Sequence, residues 1–158
     1  MFMKYVWMIV LLLLAACSGG ENEPPEITGY VTAVDGEEFF VTAEEAQDFS
    51  STGGLEEYYT AIMFSGISEE VTPGVKVEVW ADAVAESYPA QAGADAVHVL
   101  EPEQPEGAMD EFEAVRRALE ETELEGNLAV ADASFEEDVW TVELVEIMEG
   151  DRETVQVE

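Results

Sequence analysis

The amino-acid sequence predicts a mainly β protein: a small five-stranded, OB-like antiparallel barrel, followed by a small α+β unit of one helix and about three strands. Three observations carry that expectation. Short runs rich in valine, phenylalanine and threonine recur between residues 27 and 100, separated by glycine and proline signals. One stretch with helical spacing follows, starting at Asp110 and stopped by Gly126-Asn127, and three further strand-like runs close the chain. The length of 158 residues, 47% of them apolar, suits one ordinary domain or two small ones and excludes a large multidomain enzyme. A compact sandwich is the second choice for the β-rich half.

Residues 1–16 read as a lipoprotein signal peptide. Lys4 is followed by Tyr5 to Ala16, with Met8 to Leu14 as its apolar core, and this stretch is too short for a spanning helix of about 20 residues. The sequence Leu14-Ala15-Ala16-Cys17 resembles the lipobox of bacterial lipoproteins, and that resemblance implies cleavage before Cys17 and a diacylglycerol on its sulfur. Cleavage removes 16 of 158 residues and leaves 142, with four basic side chains against 37 acidic ones and a net charge of −33. Residues 17–26 then serve as lipidated cysteine and tether, glycine-rich at first and stiffened by Pro24 and Pro25. The expected place is the extracytoplasmic face of the bacterial cell membrane.

The barrel is expected over 27–103. Ile27 to Val34 and Glu38 to Ala43 form a hairpin, because Asp35-Gly36 between apolar runs is a turn signal. Gly29 marks a bulge or close packing in the first strand. Residues 44–58 are a long polar connection, with a helical turn near Leu55 to Tyr58, before a third strand at Tyr59 to Ser65. Pro73-Gly74 turns into Val75 to Ala81, where Val75, Val77 and Val79 share one face and Lys76, Glu78 and Trp80 the other. Tyr88-Pro89 breaks the chain, Ala94 to Leu100 is the fifth strand, and Pro102 and Pro105 mark a boundary.

The order of these segments, with Val79-Trp80 and Glu86 to Gln91 as the most specific parts, resembles the uncharacterised YobA-like lipoproteins of Bacillus and related Firmicutes over residues 27–101. The resemblance implies a location and a domain type but no mechanism.

The α+β unit is expected over 109–158 and is distantly similar to PepSY-type modules. Asp110 and Glu113 have capping spacing, Phe112, Val115, Ala118 and Leu119 form an apolar stripe, and Arg116 and Arg117 lie one turn from Glu113, Glu120 and Glu121. Gly126-Asn127 ends the element. Strands follow at Leu128 to Ala133, Val139 to Met148 and Glu153 to Val157, with a turn at Glu149-Gly150-Asp151. About fifty residues bury little core alone, so this unit should pack on the barrel or on a second molecule.

Charge and chemistry bound the function. With 37 acidic and 5 basic side chains the chain lacks the basic surface that nucleic acid needs. Self-repulsion on this scale is relieved where the Debye length is short, about 3 Å at 1 M salt, so the acidity points to a saline or alkaline exterior. The single cysteine, Cys17, is assigned to lipid, and His98 is the single histidine, so no catalytic residues are assigned and no cofactor is expected. Carboxylate groups can hold calcium weakly; Glu69, Glu70, Glu136 and Asp138 are the candidates, although EF-hand spacing is absent and a solvated surface is the plainer reading. Trp80, Tyr88, Tyr58 and Tyr59 are the candidate ligand contacts, with Trp80 either outward or beneath the α+β unit. The expected function is a non-enzymatic, lipid-anchored accessory or binding protein of the cell envelope. Its partners are the membrane, through the anchor, and an envelope protein, peptide or glycan. The alternatives are an envelope hydrolase or weak calcium binder using clustered carboxylates, and a structural or inhibitory interaction module.

Overall fold

The computed structural model describes residues 23–66 and 71–158. The chain is mainly β with a single helix among those residues. Strands β1 (Ile27–Asp35), β2 (Glu38–Ala43), β3 (Ala61–Ser65), β4 (Lys76–Trp80), β5 (Val84–Ala85), β6 (Ala90–Gly93) and β7 (Ala96–Val99) form one sheet in the order β5-β6-β3-β2-β1-β4-β7. The first hairpin is as expected: Asp35 pairs with Glu38, and Gly36 supplies the left-handed residue at φ +60°.

The closed five-stranded antiparallel barrel is corrected. The sheet is open, with edges at β5 and β7, and one of its pairs, β3 with β6, is parallel. The expected fifth strand is a longer run divided at Ala94-Asp95. Its first half lies beside β3, and its second half lies antiparallel to β4. At the break, Ala94 N–H donates to the Ser65 carbonyl and Asp95 N–H to the Trp80 carbonyl. Since β6 and β7 lie towards opposite flanks of the sheet yet are two residues apart in the chain, the sheet must curl until its flanks approach. Backbone connectivity, rather than a continuous ladder, joins them.

The concave side encloses Ile27, Val31, Phe39, Val41, Ile62, Phe64, Val77 and Val79, all buried, with Phe39 and Phe64 stacked at 5.4 Å. Gly29 makes the tight curl feasible, because a Cβ there would overlap the Thr42 carbonyl. A bulge between Val31 and Ala33 interrupts the pairing of β1 with β2, and Thr32 donates its hydroxyl to the Leu128 carbonyl at 2.9 Å.

The remaining elements are α1 (Glu111–Glu121), β8 (Leu128–Glu136), β9 (Val139–Glu146) and β10 (Arg152–Val157), with the strands ordered β10-β9-β8. Asp110 caps α1 as its spacing predicts, accepting the Glu113 N–H at 2.9 Å. Glu113 does not reach back to complete the box; its carboxylate holds Arg116 and Arg117 instead. The helix ends at Thr122, before the expected Gly126, and it buries Ala114, Val115 and Ala118 against Trp140, Val142 and Leu144 of β9.

This unit packs on the outside of the curled sheet. Tyr30, from β1, belongs to the helix-side cluster, and its phenol donates to Glu111. Phe40, Tyr59 and Ala61 share a second cluster with Ala129, Val145 and Ile147. The proline-rich stretch near residue 105 therefore divides the chain but not the buried core.

Candidate aromatic surface

Two of the four predicted aromatic contacts meet on one surface, joined by a ring that sequence reasoning did not single out. The connection 44–58 is ordered by its own backbone: Gln47 and Tyr58 form a bridge, Phe49 N–H donates to the Leu55 carbonyl, and Gly54 N–H donates to Phe49. Asp48 accepts the Ser50 N–H at 2.8 Å, and bonds to Ser50 hold its carboxyl below the usual range. The helical turn is a 3-10 turn at Ser50–Thr52, closed by left-handed Gly53, rather than a turn at 55–58. The reason is local: the Asp48 bond and the Gly53-Gly54 pair make the earlier position the cheaper one.

This loop presents Phe49, 41% exposed, edge-on to Tyr58 at 5.5 Å. Tyr58 in turn packs on Tyr88 at 4.9 Å. Tyr88 arrives from the other long connection, where its peptide bond to Pro89 is cis, and its hydroxyl donates to the Tyr59 carbonyl at 3.0 Å. Burial first, then the neighbouring Tyr58 and Glu146, pushes the Tyr88 phenol up to about 12. Tyr59 lies beneath the row, buried among Phe40, Ala61, Val145 and Ile147, and burial raises its phenol as well. Tyr59 is thus the floor of the surface rather than a contact on it.

Arg152 of β10 fastens the aromatic loop to the second sheet through Glu57 at 2.5 Å and through Glu143. Phe49 and Arg152 were the residues missed. Phe49 had a signal, an aromatic between polar residues in a glycine-containing loop; Arg152 had none, because its partner Glu57 is 95 residues away in the chain.

Trp80 stands apart from this row. It does not lie beneath the α+β unit: its indole N–H donates to the Glu23 carbonyl at 2.8 Å, and it lines a cleft of about 350 Å³ with Glu23, Pro24, Glu26, Asp82 and Asp95. The physical reason is that the second sheet covers β1, β2 and β3, leaving the end of β4 to the segment Glu23 to Glu26 that leads into β1.

Among the described residues no group of three or more His, Cys, Asp or Glu side chains converges as a metal site would require. Glu136 and Asp138 flank the tip of the β8–β9 hairpin, where Glu137 and Asp138 are left-handed. Glu69, Glu70 and Cys17 lie outside the described residues. His98, its side chain 65% exposed, contacts Glu78 across β4 and β7 at 3.2 Å. The carboxyls displaced from their usual range, Asp48, Glu113 and Glu153, are all lowered by hydrogen bonds that stabilise a turn or the helix. What the exposed surface offers chemically is ring faces beside carboxylates.

Residues 28–101 match a family described as a protein of unknown function (DUF3221), and this stretch is a DUF3221 domain. The match takes in the aromatic row and Trp80 and stops before α1. No curated protein matches the chain, and no solved structure does.

Proposed function

We propose that the protein is a non-catalytic, lipid-anchored accessory protein of the bacterial cell envelope, of the YobA-like kind, which presents the Phe49–Tyr58–Tyr88 surface to an envelope partner. The observation that carries the reading is that row of rings, brought together from two separate loops, with Phe49 exposed at one end, Tyr58 and Tyr88 half-buried behind it, and the loop held by backbone bonds and Arg152. Ordering a long loop so that Phe49 stays in water costs conformational entropy and gains little burial at that ring for the unliganded fold. The lipobox-like Leu14 to Cys17 supports the anchor, and two acyl chains hold a protein stably at a membrane. The carboxylate excess supports a saline or alkaline exterior.

The test uses the lipid-free chain from residue 17 as bait for envelope extracts in 1 M NaCl, where bulk charge is screened. A partner retained by the wild type and lost from both Phe49→Ala and Tyr88→Ala is the expected result. Retention unchanged in both variants would reject this surface. Metabolic labelling with palmitate addresses the anchor separately: Cys17→Ser should abolish the label and release the protein to the medium.

A further inference from the structure

The tether does not end where the first strand begins. Glu26 N–H donates to the Val79 carbonyl at 2.8 Å, which extends the pairing of β1 with β4 by one residue. Three residues upstream, the Glu23 carbonyl accepts the Trp80 indole N–H at 2.8 Å. Between the two bonds lie Pro24 and Pro25, whose rings fix φ and stiffen the segment. The corner beneath is itself braced, since Asp95 N–H donates to the Trp80 carbonyl and Asp82 N–H to the Asp95 carboxylate at 2.7 Å. Trp80 therefore spends its one polar atom on the chain's own entry segment rather than leaving it for a ligand.

We propose that Trp80 fastens the tether to the body, and that the face bearing Glu23, Trp80, Asp82 and Asp95 is consequently the face turned towards the lipid bilayer. The inference rests on the anchor at Cys17 proposed above. Chain reach supplies the argument. From Cys17 to Glu23 an extended backbone spans about 20 Å, whereas release of Glu23 moves the first fixed point to Glu26 and the span to about 30 Å. With Glu23 fastened, this face stays within that shorter distance of the lipid headgroups. Its four carboxylates, Glu23, Glu26, Asp82 and Asp95, are repelled by an anionic leaflet unless salt screens them. The surface it fits is accordingly a zwitterionic or salt-screened bilayer, approached closely without insertion.

The experiment places the chain from residue 17 on phosphatidylcholine vesicles in 1 M NaCl, coupled through Cys17 to a maleimide-bearing phospholipid. An azide-bearing residue replaces either Ala96, beside the cleft, or Glu37, in the turn at the far end of β1, and carries a donor dye; the acceptor is a headgroup-labelled lipid. Energy transfer from position 96 should exceed that from position 37, and Trp80→Phe, which keeps an aromatic ring and removes the indole N–H, should lower the ratio towards one as the tether lengthens. Trp80→Ala should do the same, with the circular dichroism spectrum confirming that each variant is folded. Equal transfer from the two positions overturns the orientation, and a ratio unmoved by Trp80→Phe in a folded variant overturns the fastening. Because coupling is chemical, the measurement stands even if Cys17 of the native protein carries no lipid, an outcome that palmitate labelling reads independently.

Discussion

Tyrosine burial links single residues to alkaline behaviour. Tyr30, Tyr59 and Tyr88 are all raised above the ordinary phenol value, chiefly by burial; Tyr30 is raised further by donating to Glu111, and Tyr88 reaches about 12. A raised folded-state value means that the unfolded chain loses its phenolic protons first. The stability that Tyr88 contributes is therefore complete below pH 10 and is lost as pH rises from 10 towards 12. Spectrophotometric titration near 295 nm should show Tyr30, Tyr59 and Tyr88 ionising late in the folded protein and at the ordinary value in urea. Tyr88→Phe should flatten part of the fall in stability over that window. A folded-state curve that overlays the urea curve would contradict the burial described for these rings.

At the scale of elements, the decisive contacts join pieces that lie far apart in the chain. Gly74, in the turn before β4, sits at φ +97°, and a Cβ there would lie 2.6 Å from the Phe112 carbonyl and 2.9 Å from Arg116 of α1. The turn and the helix can approach only because this residue has no side chain. Gly74→Ala should cost about 1–3 kcal/mol through overpacking and left-handed strain, read as a lower urea midpoint at unchanged slope. The Tyr30–Glu111 bond ties the same helix to β1, while Glu111 also accepts the Glu103 N–H at 2.8 Å. Exposed ion pairs such as Arg116 with Glu120 contribute less, because water and salt screen them.

For the whole molecule, the outer face of the curled sheet is buried only because the second unit covers it. Phe40, Tyr59 and Ala61 are each no more than 5% exposed, and all three pack in a cluster with Ala129, Val145 and Ile147. A fragment of residues 23–103 should consequently expose that face, bind the dye ANS and aggregate, whereas the chain from residue 17 to 158 should do neither. A monomeric, dye-negative fragment would show that the β-rich half is complete without its cover. The aromatic row belongs to the same dependence, since Arg152, which pins its loop through Glu57, is supplied by β10.

Local signals carried much of the architecture. Alternation placed Val77 and Val79 on one face of β4, the buried one; Asp-Gly marked the first hairpin, and Asp110 marked the start of the helix, because each depends on neighbours within a few residues. The candidate site was legible in part: Tyr58 and Tyr88 were named, but their contact, the role of Phe49 and the separation of Trp80 were not. The parallel pairing of β3 with β6, the break at Ala94-Asp95 that leaves the sheet open, and the Glu57–Arg152 link join residues remote in the chain. The amino-acid sequence by itself determined the β-rich class, the helix that starts at Asp110 and the excess of carboxylates, since composition and short-range periodicity suffice for these. Tertiary structure alone decided which faces are covered and which rings meet. Those outcomes depend on how the two halves fill one core, and no local pattern encodes that packing.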